Sequence, residues 1–255
     1  MYEDLTYEVR DHVGVITLDR PQVHNALRRR SYAELEHAVR TTSERVLVIT
    51  GRDPSFCSGD DVCELMAPDA PLPDQLAEPR ITPAADALLG TDVPVVVAVN
   101  GAAMGWGMEL ALMADLRVAS EKASFAELFV KRGLCCDVAG LGRLVQLIGR
   151  ERASELLFTG RPIDAAEAER IGLVSRVVPH DRLMDAALEV ADAIAENPPL
   201  AVAKLKAGLR QALDPDWAEL GRWVSASLAE LFETEDHREG VQAFLDKRVP
   251  VYHGR

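Results

Sequence analysis

The stretch Val93–Asp115, VPVVVAVNGAAMGWGMELALMAD, decides the architecture. Val93–Val99 is apolar throughout, with none of the alternation of a half-exposed strand. It therefore reads as a strand buried on both faces of a parallel sheet. The run ends in Asn100-Gly101 and crosses a Gly-x-Gly turn at Gly105 and Gly107. A helix over Met108–Met113 follows, with one carboxylate near its start, Glu109. The first N–H groups of a helix have no intrahelical acceptor, and the macrodipole places partial positive charge there. Glycine lets such a backbone approach a ligand with no Cβ in the way. Together these features suit a developing oxyanion, with a proton-transfer group one turn away.

Outward from this block, His12–Leu18, Val46–Thr50, Leu116–Ala119 and Leu173–Val178 read as strands, the second stopped by Gly51. Ser31-Tyr-Ala-Glu34 has the form of a capping box, opening a helix with Leu35, Ala38 and Val39 on one face. Asp164-x-x-Glu167 caps another helix, which closes at Gly172. Between Ala67 and Leu89 five prolines should break regular structure in the first half. From Arg182 onward the pattern is helical. Pro199 suits a first helical position, and Ala201, Leu205, Leu209 and Ala212 share an apolar face. Trp217, Leu220 and Val224 mark a further helix, and Phe244 falls in the last. Periodicity alone thus supports α/β with a helical tail.

A chain of 255 residues can form one large domain with a sizeable core, and 48% hydrophobic with 27% charged residues is an ordinary globular balance. A net charge of −13 argues against nucleic acid or an anionic membrane as the main partner. The polar start MYEDLTYEVR and the short apolar runs suggest neither a signal peptide nor a membrane span, so the expected compartment is the cytoplasm. The four cysteines, Cys57, Cys63, Cys135 and Cys136, read as reduced thiols. The six histidines are too scattered for a metal site, and none is assigned.

Several ordered motifs extend the picture: DRPQVHNAL (Asp19–Leu27), VLVITGRDPSFCSGDDV (Val46–Val62), ADLRVASEKASFAELFVKRGL (Ala114–Leu134), GRERASELLFTGRPIDAAEAERIGLVSRVV (Gly149–Val178) and the closing FLDKRVPVYHGR. With the glycine-turn block, this order resembles the crotonase (enoyl-CoA hydratase/isomerase) superfamily over nearly the whole chain. The resemblance implies a crotonase-like spiral of ββα repeats over residues 1–180, carrying the CoA and active sites. A C-terminal helical region over 181–255 would pack across subunits in a homotrimer or dimer of trimers. It implies an acyl-CoA thioester substrate, with CoA arriving as part of that substrate and no separate cofactor.

It also implies a site. The backbone N–H groups of Asp60 and Trp106 would form the oxyanion hole, although smaller residues are commoner at both positions; the Trp106 side chain would line the pocket. Glu109 matches the first catalytic acid/base. In hydratases the second lies twenty positions further on, and here that position is Phe129, which cannot carry a proton. Asp137, eight residues later, matches a position where some isomerases of the superfamily carry a catalytic acid; its local alternative is a helix N-cap. Glu127 is a weaker candidate. Substrate contacts are expected from Asn25, Ala26, Ser58, Asp61, Val62 and Cys63, with Gly105 and Gly107 in the turn. Arg28-Arg29-Arg30 could meet CoA phosphates or form a solvated face, and Lys247-Arg248 carries the same pair of readings.

Glu109 and Asp137 as the pair would suit moving a double bond from the 3-enoyl to the 2-enoyl position, which needs only proton transfer through an enolate. Hydration of 2-enoyl-CoA also needs a positioned water, which Phe129 makes harder, and it ranks close behind. The alternative from another class is a non-catalytic acyl-CoA-binding protein on the same fold, favoured by Phe129 and Trp106 and opposed by the retained acids. The acyl group itself cannot be read from these residues.

Overall fold

The computed structural model describes residues 2–66, 78–253 and 255; the first half of the proline-rich segment lies outside them. The chain opens with an antiparallel pair, β1 (Leu5–Arg10) and β2 (Val13–Leu18). Helix α1 (Arg29–Thr41) leads to β3 (Val46–Gly51), then the short α2 (Val62–Leu65) and α3 (Pro83–Gly90) lead to β4 (Val95–Val99). After β5 (Ala102–Met104) come α4 (Trp106–Met113), β6 (Leu116–Ser120) and β7 (Ser124–Ala126). Helices α5 (Val138–Ile148) and α6 (Arg150–Thr159) precede β8 (Ile163–Asp164), α7 (Ala165–Arg170) and β9 (Arg176–Val178). Four helices end the chain: α8 (Leu183–Ala195), α9 (Pro199–Leu213), α10 (Trp217–Phe232) and α11 (Glu235–Leu245).

Six strands form one sheet in the order β1-β2-β3-β4-β6-β9, parallel from β2 onward; β5-β7-β8 form a second. The lack of alternation in β3 and β4 has a direct cause. Leu47, Ile49, Val95, Val97 and Val99 face the larger core, with α4, α5 and α1. Val46, Val48, Val96 and Ala98 face the other way, onto Leu183, Ala187 and Ala191 of α8. Both faces are dry, so both residue parities are apolar.

Three expectations move. Helix α1 starts at Arg29, not Ser31: Ser31 Oγ accepts the Arg28 N–H at 3.1 Å and donates to Asp4 at 2.6 Å, so Ser31 lies inside the first turn. Helix α4 starts at Trp106, because the turn is completed at Gly105, which caps it with φ +52°. Pro199 does open α9, but its apolar face points outward. Leu205 is 70% and Leu209 59% exposed. The inward face is polar: Lys206 Nζ meets Asp115 at 2.7 Å and the Val93 carbonyl at 2.8 Å, while Arg210 holds the Thr91 carbonyl at 2.6 Å. Satisfying two carbonyls of the connection before β4 and a buried ammonium sets the helix's rotation.

Candidate active site

Helix α4 is buried on all sides, and Glu109 is its one charged residue. Because Gly105 is the cap, Trp106 and Gly107 are the first two helical residues, and their N–H groups have no intrahelical acceptor. Gly107 is required by packing: a Cβ there would stand 2.1 Å from the Cys57 carbonyl oxygen. That contact draws α4 against the segment Cys57–Asp60. A Cβ on Gly59, whose φ is +88°, would lie 2.6 Å from the Met104 carbonyl oxygen and 3.2 Å from the Trp106 nitrogen.

Asp60 sits in a single parallel bridge to Leu27. Leu27 N–H donates to Gly59 O and Asp61 N–H to Leu27 O, both at 2.8 Å, which leaves the Asp60 N–H on the other side. Among the described residues neither the Asp60 nor the Trp106 N–H has an acceptor. A recess of about 20 Å³ lies between Ser58–Asp60 and Gly105–Trp106, room for about one water-sized group. It adjoins a larger cavity of about 440 Å³, walled by Tyr32, Asp60, Trp106, Phe129 and Asp137 among others.

Asp137 caps α5, accepting the Val138 N–H at 2.7 Å through Oδ1, and faces the cavity. Its Oδ2 accepts the indole Nε1–H of Trp106 at 3.1 Å. Burial raises its pKa against those two hydrogen bonds. The expected cap and the expected cavity position therefore coincide in one side chain. Trp106 lines the cavity without filling it, and Tyr32 packs edge-on to it, with ring centroids 4.7 Å apart. Asp60 points its carboxylate at Tyr32, whose hydroxyl donates to Oδ1 at 2.5 Å. Burial pushes the Asp60 carboxyl up to about 6; the Tyr32 bond lowers it, Asp137 raises it and Arg132 lowers it.

Glu109 and Glu127 lie behind this wall. Glu109 is wholly buried, and both its oxygens accept the Gly140 N–H, at 3.1 and 3.0 Å. Its pKa is well above the usual range, from burial first and then from Glu127 and Asp137, opposed by the N–H groups of Gly140 and Ala139. Glu127 is 1% exposed, and neither of its oxygens has a partner among the described residues. Burial and then Asp137 push its pKa well above the usual range as well. A carboxyl held neutral in the fold but ionised in the unfolded chain stabilises most below about pH 4.3. That contribution is lost as pH rises toward the raised folded value. Glu127→Gln, neutral at every pH, should therefore flatten the fall in urea midpoint between pH 5 and pH 8. An unchanged slope in urea titrations would show that Glu127 ionises without cost.

The remaining candidates divide. Ser58, Val62 and Gly105 line the recess with Asp60 and Trp106. Asn25, with φ +57°, is structural in its side chain: Nδ2 donates to the carbonyls of Arg52, Ser55 and Phe56, and Oδ1 accepts the Arg20 N–H. The Ala26 carbonyl accepts Arg20 Nη1 at 2.6 Å, and Asp61 pairs with Arg20 at 3.1 Å. Cys63 is exposed, and all four cysteines are free thiols. Arg28 and Arg30 are held in ion pairs. Arg28 grips Asp4 at 2.8 and 2.7 Å, and Arg30 pairs with Glu3. Arg248 is likewise held by Glu239, at 2.6 and 2.7 Å. Sequence reading missed Tyr32, and it left the Asp60 side chain unassigned. An acid where small residues are commoner was the available signal, and its partner lies 28 positions away.

Among the described residues no helix is long and apolar enough to cross a membrane. Residues 8–255 match the family described as Enoyl-CoA hydratase/isomerase. A protein of Rhizobium meliloti named "Probable enoyl-CoA hydratase" is 38% identical, covering 100% of this chain and 99% of its own length. The enoyl-CoA hydratase/isomerase structure from Pseudoalteromonas atlantica superposes with a TM-score of 0.89 at 29% identity, over 98% of this chain and 100% of that one. Carnitinyl-CoA hydratase from Mycobacterium avium gives 0.84 at 34% identity, with both chains fully covered.

Proposed function

The chain belongs to the enoyl-CoA hydratase/isomerase family, with the crotonase fold and the enzymatic class that go with it, and from that premise we propose that it moves a double bond within an acyl-CoA thioester. The thioester oxygen sits in the recess and accepts the N–H groups of Asp60 and Trp106, which stabilise an enolate there. Asp137 takes and returns the proton at the acyl carbons. Glu109 acts from behind: through Gly140 it anchors the first turn of α5, where Asp137 is the cap. The carrying observation is that Asp137 reaches the cavity wall, fastened by the indole of the very residue whose amide adjoins the recess.

Phe129 stands on the same wall, where a second carboxylate for holding water is expected in a hydratase. Hydration of 2-enoyl-CoA is the second reading, favoured by the names of the relatives. Neither route requires a separate cofactor or metal. The exposed leucines of α9 support subunit contacts, as in a homotrimer or dimer of trimers acting in the cytoplasm. The test is to offer the protein 3-enoyl-CoA and 2-enoyl-CoA substrates of several chain lengths and follow thioester absorbance. Conversion of the 3-enoyl ester to the conjugated 2-enoyl ester is expected. Faster water addition would favour the hydratase reading, and tight binding without turnover would favour a non-catalytic binder.

A further inference from the structure

Resting on that reading of the site, we propose that the Asp60 side chain is its second proton carrier, giving a proton to one acyl carbon while Asp137 withdraws one from another. Both carboxyls lie on the wall of the same cavity of about 440 Å³. Each is held by an aromatic donor, Tyr32 Oη to Asp60 Oδ1 at 2.5 Å and Trp106 Nε1 to Asp137 Oδ2 at 3.1 Å. The two donors pack edge-on, at an interplanar angle of 89°. One aromatic pair therefore fixes the placement of two acids. Among the described residues no hydrogen bond reaches Asp60 Oδ2, so this oxygen is available to the cavity.

Charge decides which form of Asp60 suits an oxyanion site. An anionic Asp60 would oppose an enolate on its own amide, whereas a neutral one would not. Its carboxyl is pushed up to about 6, chiefly by burial, so the protonated form that delivers the proton is populated toward pH 6 and is the minority at pH 7.

The step balances. The Asp137 carboxylate takes the proton from C2 of a 3-enoyl thioester, and the C–H electron pair moves into a dienolate. As the thioester carbonyl reforms, the C1=C2 pair becomes the new C2=C3 bond and the former C3=C4 pair takes the Asp60 proton at C4. Asp137 is left neutral and Asp60 anionic, and proton exchange with water restores both. Turnover in deuterium oxide, read by mass spectrometry, distinguishes this from a single shuttling acid. Wild-type product should carry solvent deuterium at C4, whereas a one-acid shuttle that outruns exchange with water returns the substrate's own hydrogen.

Asp60→Asn keeps the backbone amide and should lower kcat on the order of 10²-fold. Its affinity for a saturated acyl-CoA should change by less than about threefold. Tyr32→Phe, which keeps the carboxyl and removes its donor, should give a smaller loss, and it decides the matter if the Asn variant does not fold. Wild-type kcat in a folded Asp60→Asn protein, or in Tyr32→Phe if it does not fold, would overturn the inference, as would retention of substrate hydrogen at C4. If Asp137→Asn is equally unaffected, the reading of the site itself has failed; if only Asp137→Asn is inactive, that reading stands and this inference alone falls.

Discussion

Asp137→Asn should reduce kcat by about 10²–10⁴-fold, the usual range for a lost acid/base group, with the fold intact. Asparagine is as good an N-cap as aspartate, so the start of α5 should hold. The amide oxygen can still accept one of the two hydrogen bonds now made to Val138 N–H and Trp106 Nε1–H. What is lost is the ability to carry a proton on the cavity wall. Loss of kcat with little change in acyl-CoA affinity would mark an interaction made in the transition state. A variant with wild-type kcat would remove Asp137 from the chemistry and return it to the role of a cap.

Gly107→Ala should act on the other half of the site, through the backbone. The added Cβ would meet the Cys57 carbonyl oxygen at 2.1 Å, and that carbonyl is not free to move. It accepts the Met104 N–H at 2.9 Å, while the Cys57 N–H donates to Ala102 O at 2.9 Å. Helix α4 must therefore shift, and the Trp106 amide shifts with it. Loss of one oxyanion donor costs about 10²–10³-fold in kcat, and overpacking costs about 1–3 kcal/mol of stability. Gly90→Ala is the control, because nothing lies within 4 Å of a Cβ built there. Equal activity and equal urea midpoints for the two variants would show that the contact between α4 and Cys57 is dispensable.

Much of the site was legible because its chemistry is local. An unbroken apolar run, a glycine turn and a carboxylate one turn into a helix lie within 23 consecutive residues, Val93 to Asp115. Their order was enough to place an amide-lined turn beside a buried helix. The vacant acid position at Phe129 pointed to Asp137 by family pattern, and the cap reading of the same residue rested on residue type alone. In the structure its two oxygens serve different neighbours, the Val138 amide at the start of α5 and the Trp106 indole on the cavity wall.

Other features depend on partners far along the chain. The ion-pair partners of Arg28 and Arg30, Asp4 and Glu3, could not be seen in the sequence to approach them. Periodicity marked the leucine stripe of α9 but carried no information on which side would face inward; Lys206, Arg210, Asp115 and the carbonyls of Thr91 and Val93 decided that. Composition and pattern by themselves determined a parallel buried sheet, a glycine-opened helix and a helical tail, because dry surfaces and backbone conformations leave their mark residue by residue. Only the tertiary structure decided which acids meet in the cavity. Glu109 lies behind the wall while Asp60 and Asp137 lie on it, and that choice is made by hydrogen-bond donors, Tyr32, Trp106 and the Gly140 amide, brought in from separate elements to offset the cost of burying each carboxyl.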